Sequence, residues 1–430
     1  MGPVGRLNVM LAVSVRARER FLAWWTSLRA LTSDGLLYLL AASFALVLGE
    51  TSTQPAQWQW GYLAAGPYLL AALAAFLLAR RVVRRQHVAR LALLVIVMVG
   101  AIGVPLGLEA HWRHAQPEAG VITRAGQLIS KGEDPYRAYD HDGHVVNAIP
   151  GDPVFESFFP YFPLMGVFGL PYAETHKGKG LTDPRIIMTL MSIIVSAWAL
   201  FLLRASREQK IRVAQLLVAL PTGALFFATG GDDMPILALL LLSVAALQRR
   251  QSNLAGVSLG LAAAMKLTAW PMAAGALLVT RDREGHSTWK KVLAWVAAIV
   301  VVTTVPYAVR QPLAFMSNVF AFPLGLAGVK SPAASALPGH ILTTWLPVLG
   351  HVLAPVAFLI GGYFATKYIR RHWPLTLSQI LGLLAIVFLG LICVASATRV
   401  GYVIYPLNLW LWSSVTKDAP VPAEELVAAA

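Results

Sequence analysis

The chain has 430 residues, is 57% hydrophobic and only 13% charged, and has a mean hydropathy of +0.63. Several stretches run roughly twenty residues almost without charge, enough to cross roughly 30 Å of hydrocarbon as helix; this excludes a soluble globular domain and, because barrels show short alternating strands, disfavours a β-barrel. The formal charge of +14 lies in short basic clusters between apolar runs, the pattern of cytoplasmic loops and of contact with anionic headgroups, which argues against nucleic acid as partner.

The single cysteine, Cys393, permits no intrachain disulfide and no cysteine zinc site. The first apolar segment lies too far from the start, and too many others follow, for a simple cleaved signal peptide. Residues 1–35 carry Arg6, Arg16, Arg18, Arg20 and Arg29 and read as a basic cytoplasmic segment, with an amphipathic surface helix as one form it can take. The membrane-embedded part is residues 36–415. Spans are expected at 36–49 and 62–79, then a basic cytoplasmic loop, RRVVRRQHVAR, then a span at 91–108.

Residues 109–183 form a large extracytoplasmic loop between spans three and four. Within it, 160–172 is apolar but short, as an interfacial or re-entrant helix would be. Further spans are expected at 186–203, 213–228 and 236–247. Residues 256–279 hold Lys266 at their middle and Pro271 just after, with cytoplasmic-looking flanks. They read as two short helices, up and back, with MKLTAWP at the outer turn; a re-entrant hairpin is the alternative. Spans at 292–309, 346–364, 377–394 and 402–412 follow, and 416–430 is a polar, disordered cytoplasmic tail. The expected fold is all-α, a polytopic membrane bundle of roughly twelve crossings with every Arg-rich short loop on one side.

The outer loop concentrates the chemistry-bearing residues. Glu118 opens the run EAGVITRAGQLISKG, in which Val121, Ile122, Ala125, Leu128 and Ile129 recur at helical spacing. An acid in a first helical turn is favoured by the dipole, which gives Glu118 a purely structural reading beside a catalytic one. GEDPYRAYDHDGH contains Asp134, Asp140, His141, Asp142 and His144. Carboxylate and imidazole together suit a divalent metal, although such a run is more often a solvated turn.

Asp232 and Asp233, in GGDDMP, can bind sugar hydroxyls or a cation, or cap the following helix. Lys266 and Arg399 are costly charges near hydrocarbon, which makes them functional candidates, and arginine holds phosphate well. Tyr402 and Tyr405 follow Arg399 at offsets of three and six and can border the same site or form an interfacial belt. His340, in SALPGHIL, is a further outer-side candidate or a solvated turn.

The pattern RAGQLISKGEDPY, a spacer, then FFPYFPLMGVFGLP, with GGDDMPILALLLL, GLAAAMKLTAWP and TRVGYVIYP downstream, resembles the bacterial membrane glycosyltransferases of family 87, in the GT-C class. The similarity runs over about 109–412. Glutamate at 118 stands where that family usually carries aspartate, two spans precede the usual first one, and Tyr161-Phe162-Pro163 departs from the usual Pro-Pro pair.

The resemblance implies a helical GT-C fold, transfer on the extracytoplasmic face, and a polyprenyl-phosphate sugar donor. The sugar would be mannose or arabinofuranose, and the acceptor a glycolipid or cell-envelope glycan. It implies inversion, with Glu118 as general base and Glu109 and Asp134 in reserve. The substrate-binding set is Arg124, Asp134, Tyr136, Tyr161, Asp232, Asp233, Lys266, His340, Arg399 and Tyr402. No metal ligand is assigned; a divalent ion is an option only. A transporter or lipid-linked-sugar flippase is the competing class, but it would call for repeated halves and a second intramembrane break, and neither is found.

Overall fold

Long runs poor in charge and bounded by proline, glycine or basic clusters fold as helices, and the computed structural model describes residues 30–80, 86–147, 150–151, 153–175, 180–283, 286–330 and 332–417. Helices α1 (Ala30–Thr51) and α2 (Pro55–Ala79) lie closely against each other. A Cβ added at Gly61 would come within 2.5 Å of the Ala45 carbonyl, so only small residues permit this approach. Helix α3 (Gln86–Met98) continues through a π turn (Val99–Gly103) into α4 (Val104–Trp112).

The segment that follows folds as α5 (Pro117–Ser130), 3-10 turns at Val154–Ser157 and Pro163–Gly169, and α6 (Leu170–Thr175). Then come α7 (Pro184–Leu202), α8 (Arg207–Ala214), a π turn, and α9 (Pro221–Thr229), which is bent by 42° from its predecessor. Helices α10 (Asp233–Gln248), α11 (Ser252–Ala263), α12 (Trp270–Arg283) and α13 (His286–Arg310) follow. The rest comprises α14 (Pro312–Met316), α15 (Pro338–Trp345), α16 (Pro347–Arg371), α17 (Leu377–Val394) and α18 (Ile404–Lys417).

Six helices among the described residues are long and apolar enough to cross a membrane, or seven if the bent pair α8–α9 is one span. The chain is therefore a multi-pass membrane protein. Helix length by itself does not reach the roughly twelve crossings expected from loop charge, because α10 and α11 are shorter than a full crossing. The break at Lys266 is present: α11 ends at Ala263, a 3-10 turn spans Leu267–Ala269, and α12 begins at Trp270.

The first span begins at Ala30 rather than 36, so residues 30–35 belong to α1 and not to the basic segment. Residues 1–29 and 418–430, which include most of that segment and of the tail, lie outside the described residues. Helix α18 runs to Lys417, two residues into the segment expected to be tail.

Helix α10 fixes the centre of the bundle. Every residue from Asp233 to Leu247 is buried, and a helix apolar all round is one that sits inside a bundle rather than at its edge. It is packed by α7, α11 and α18. The peripheral helices do the reverse: α13 exposes Val301, Val302, Val305 and Val309, and α16 exposes Phe358 and Leu359, as surfaces facing hydrocarbon do.

A buried charge cluster ties α1, α3 and α8 together. Arg90 donates through Nε to Asp34 Oδ2 at 2.5 Å and through a terminal nitrogen to Oδ1 at 3.1 Å. Arg212 also pairs with Asp34, and Glu208 with Arg90. Asp34 and Arg90 are essentially fully buried. Sequence reading assigned Arg90 to a solvated basic loop; its partner, one turn inside α1, explains why it is instead inside the protein. Removing the carboxylate leaves two guanidinium groups short of an anion, so Asp34→Ala should destabilise the fold by about 3–5 kcal/mol. Thermal unfolding of the detergent-solubilised protein should show this as a clear fall in midpoint, with Asp34→Glu closer to the wild type.

Candidate active site

The site begins at a clasp between two chain segments. Gln116, the residue before α5, takes extended backbone angles, and Pro117 starts the helix with its ring-fixed φ. The Gln116 backbone N–H donates to the Thr229 carbonyl at 2.9 Å, and its side-chain amide donates to Thr229 Oγ1 at 2.7 Å. Thr229 is the last residue of α9, and the chain turns there at Gly230, whose φ of +96° suits glycine. A Cβ at Gly230 would also lie 2.7 Å from Arg185 Cγ. The clasp thus brings the first turn of α5, with Glu118, beside the start of α10, with Asp232 and Asp233.

The second half of the site comes from the break between α11 and α12. Lys266 takes an extended conformation there. Its ammonium donates to Asp232 Oδ2 at 2.5 Å and to Asp233 Oδ1 at 2.6 Å. The Tyr405 hydroxyl also donates to Asp233 Oδ1, at 2.6 Å, and lies 2.8 Å from Thr268 Oγ1. Lys266 Nζ stands 5.5 Å from the ring centre of Tyr161 and 5.7 Å from that of Tyr402, the range in which ring quadrupoles attract a cation. Asp232 makes no capping bond to α10, so the capping reading fails for its side chain; the carboxylate serves the lysine. Both acids still gain from the α10 dipole.

Arg399 completes the cluster from just before α18. Its guanidinium pairs with Glu118 Oε1 across 281 residues of sequence. Burial works against the Arg399 charge, but the adjacent Glu118 carboxylate outweighs it and pushes its pKa up. The second carboxylate oxygen, Glu118 Oε2, is buried and accepts no hydrogen bond. Among the described residues, then, three carboxylates and two cations meet beneath Tyr161 and Tyr402.

Seven of the residues expected from sequence therefore converge: Glu118, Tyr161, Asp232, Asp233, Lys266, Arg399 and Tyr402. Four others stand behind them. The Tyr136 hydroxyl donates to the Tyr161 carbonyl at 2.9 Å. Asp134 Oδ1 accepts the Tyr136 N–H at 2.9 Å, and burial pushes the Asp134 carboxyl up despite that bond and Arg310. Arg124 donates to the Glu156 carbonyl. His340 Nδ1 lies 2.8 Å from the Ser396 carbonyl, on the turn leading to Arg399.

Glu109 lies near the end of α4, fully buried, with neither carboxylate oxygen hydrogen-bonded. Residues that sequence reasoning missed are Gln116, Thr229, Thr268 and Arg185. Arg185 alone carried a signal, as a charge opening an apolar helix; it is 4% exposed and pairs with Asp183 at 2.6 Å.

Ligand atoms of Asp140, Asp142 and His144 fall within 4.8 Å of one another on an exposed turn. Asp134 and His141 are not part of that group. The turn is exposed and separate from the buried charges. An open groove of about 500 Å³ lies between Ile129, Pro163, Leu164, Val167, Val302 and Pro306, with Arg310 among its polar members; none of the seven converging residues lines it.

Residues 159–397 match the glycosyltransferase family 87 profile, more than half of the chain, and the protein belongs to that family. The matched region contains Tyr161, Asp232, Asp233, Lys266 and His340, while Glu118 and Arg399 lie outside it. The chain is similar in structure to ArnT from Cupriavidus metallidurans in the apo state, with 18% identity over 78% of this chain and a TM-score of 0.43. The same protein bound to undecaprenyl phosphate gives 18% identity over 81% of this chain and a TM-score of 0.43. In both comparisons the match spans 63% of the ArnT chain. No curated protein matches significantly.

Lys266 is the keystone of this cluster, since without it Asp232 and Asp233 face each other buried and uncompensated. Lys266→Met should cost about 3–5 kcal/mol of stability. Adding Asp232→Asn and Asp233→Asn to that variant should restore much of the loss, as measured by thermal unfolding in detergent. A Lys266→Met protein as stable as wild type would show that the cage is not structural.

Proposed function

We propose that the protein moves a sugar from a polyprenyl-phosphate donor to a hydroxyl of a glycolipid or cell-envelope glycan acceptor, at the extracytoplasmic face, with inversion. Mannose or arabinofuranose is the sugar to test first. The observation that carries the reading is the Glu118 carboxylate. One of its oxygens is held by Arg399, and the other is buried and has no hydrogen-bond donor. Leaving a buried acceptor unsatisfied is costly, and an acceptor hydroxyl donating to Oε2 would satisfy it.

In this reading Glu118 takes the hydroxyl proton as the oxygen attacks the anomeric carbon. A single base and no covalent enzyme intermediate suffice for inversion. The donor phosphate binds Arg399, whose guanidinium is 32% exposed and geometrically suited to phosphate oxygens. Lys266 is spoken for by two carboxylates, so its proposed part is to hold Asp232 and Asp233 toward sugar hydroxyls rather than to bind phosphate. Tyr161 and Tyr402 would pack on the sugar, and Tyr136, Asp134, Arg124 and His340 would hold the backbone that presents the site. The groove beside α13, apolar with Arg310 among its polar lining, supports an amphiphilic substrate reaching the site from the membrane.

Purified protein incubated with a panel of radiolabelled polyprenyl-phosphate sugars and a membrane lipid extract should produce a labelled glycolipid or glycan. Glu118→Gln should lower turnover by about 10²–10⁴-fold with unchanged expression, Glu118→Asp should keep part of the activity, and Glu109→Gln should keep most of it. Near-normal turnover of Glu118→Gln with loss in Asp134→Asn would move the base to the GEDPY turn.

The sidedness is checked separately. In a Cys393→Ser background, cysteines at His141 and Gln86 should be labelled by impermeant reagents from opposite faces of the membrane, His141 from outside. Labelling of both from one face would overturn the extracytoplasmic placement.

A further inference from the structure

The Glu118–Arg399 pair joins two groups that the proposed reaction needs to act on different partners. Lys266 already faces two carboxylates, so Arg399 is the cation of the cluster left for a phosphate, and Glu118 offsets its charge. Counted together, Glu118, Asp232 and Asp233 outweigh Lys266 and Arg399 by one negative charge. An anionic leaving group would therefore develop in a site of its own sign unless a carboxylate loses its charge at the same time.

Resting on the general-base reading above, we infer that Glu118 and Arg399 form a charge-exchange pair, in which proton uptake by Glu118 releases Arg399 to the leaving phosphate. The atoms balance as follows. The acceptor O–H bond breaks and its proton goes to Glu118. The acceptor oxygen forms its bond to the anomeric carbon. The bond from that carbon to the phosphate oxygen breaks, and its electron pair leaves on the phosphate. The lipid phosphodiester becomes a monoester and gains a negative charge while the Glu118 carboxylate loses one, so the site as a whole changes nothing.

The geometry serves this exchange. Arg399 holds one Glu118 oxygen while the other is buried and without a donor, so a single carboxylate can take the proton on one side and control the cation on the other. Donors turned to the place where charge develops stabilise a transition state more than a ground state. After transfer the protonated acid no longer competes for the guanidinium, and the phosphate monoester keeps it until Glu118 gives up its proton.

The test is product affinity, measured on the full chain in lipid nanodiscs with undecaprenyl phosphate and, as the singly charged control, its phosphate methyl ester. Glu118→Gln mimics the protonated acid and should bind the monoester about tenfold more tightly than wild type, the scale of one charged hydrogen bond. The methyl ester should gain less. Glu118→Asp, which keeps the charge, should show no gain. Arg399→Gln should bind both ligands weakly, and Glu118→Gln should add nothing in that background. An unchanged monoester affinity in folded Glu118→Gln protein, or a gain that survives Arg399→Gln, overturns the exchange; if that same variant has lost turnover, the general-base reading stands without it. Retained turnover in Glu118→Gln overturns both, as does a failure of the monoester to bind in an Arg399-dependent way.

Discussion

Everything near the site depends on keeping two adjacent carboxylates buried at the start of a helix that has no solvent-facing side. Asp232 and Asp233 are fixed by Lys266, and Lys266 can reach them only because the chain breaks between α11 and α12. The break in turn demands neighbours for a segment with extended backbone. Tyr161, Tyr402 and Tyr405 supply ring faces and a hydroxyl, and the Met265 carbonyl accepts the Phe162 N–H at 3.0 Å. The aromatic strap at Tyr161–Phe162, the broken helix pair and the last helix are thus held by one buried charge cluster.

That cluster divides the labour among its charged groups. In the lysine cage the ammonium bonds both carboxylates at short range, 2.5 and 2.6 Å. The Glu118–Arg399 pair is more open, with a partly exposed guanidinium and one carboxylate oxygen unpaired. The cage fixes the start of α10 and the break before α12 beside that pair. His340 and the Ser335–Thr398 backbone bond steady the turn that carries Arg399, while the Gln116–Thr229 clasp steadies the helix that carries Glu118.

Much of this was legible in the sequence because charge is expensive in hydrocarbon. Lys266 and Arg399 stood out among apolar residues, and Asp232-Asp233 stood out at the head of an apolar run, so all four were identified before any pairing was visible. What could not be read was who meets whom. Glu118 and Arg399 are 281 residues apart, and no periodicity connects them. The same blindness placed Arg90 in a solvated loop and Asp34 in a basic segment, although each is the reason the other can be buried. Polar residues such as Gln116 and Thr229 gave no signal, because an amide and a hydroxyl look the same in a clasp as on a surface. Crossing number follows from counting apolar segments, with loop charge as a check on sidedness; apolar segments such as α10 and α11 fold as helices shorter than a full crossing.

The π turn between α3 and α4 has a further meaning. An extra residue in a helical turn rotates everything beyond it by about 100° relative to an unbroken α-helix. Here it ends at Gly103, shortly before Glu109, so the rest of the rod is indexed by it. It behaves as an accommodated insertion: the helix absorbs the added residue in a widened turn instead of breaking. Deleting one residue within it would restore an α turn and leave Glu109 facing inward, whereas winding the same residues into an unbroken α-helix would swing Glu109 off the protein interior and turn the chain at Arg113 toward a different neighbour. The angular setting of the segment that leads to Glu118 is therefore encoded within an apolar helix, away from the charge cluster itself.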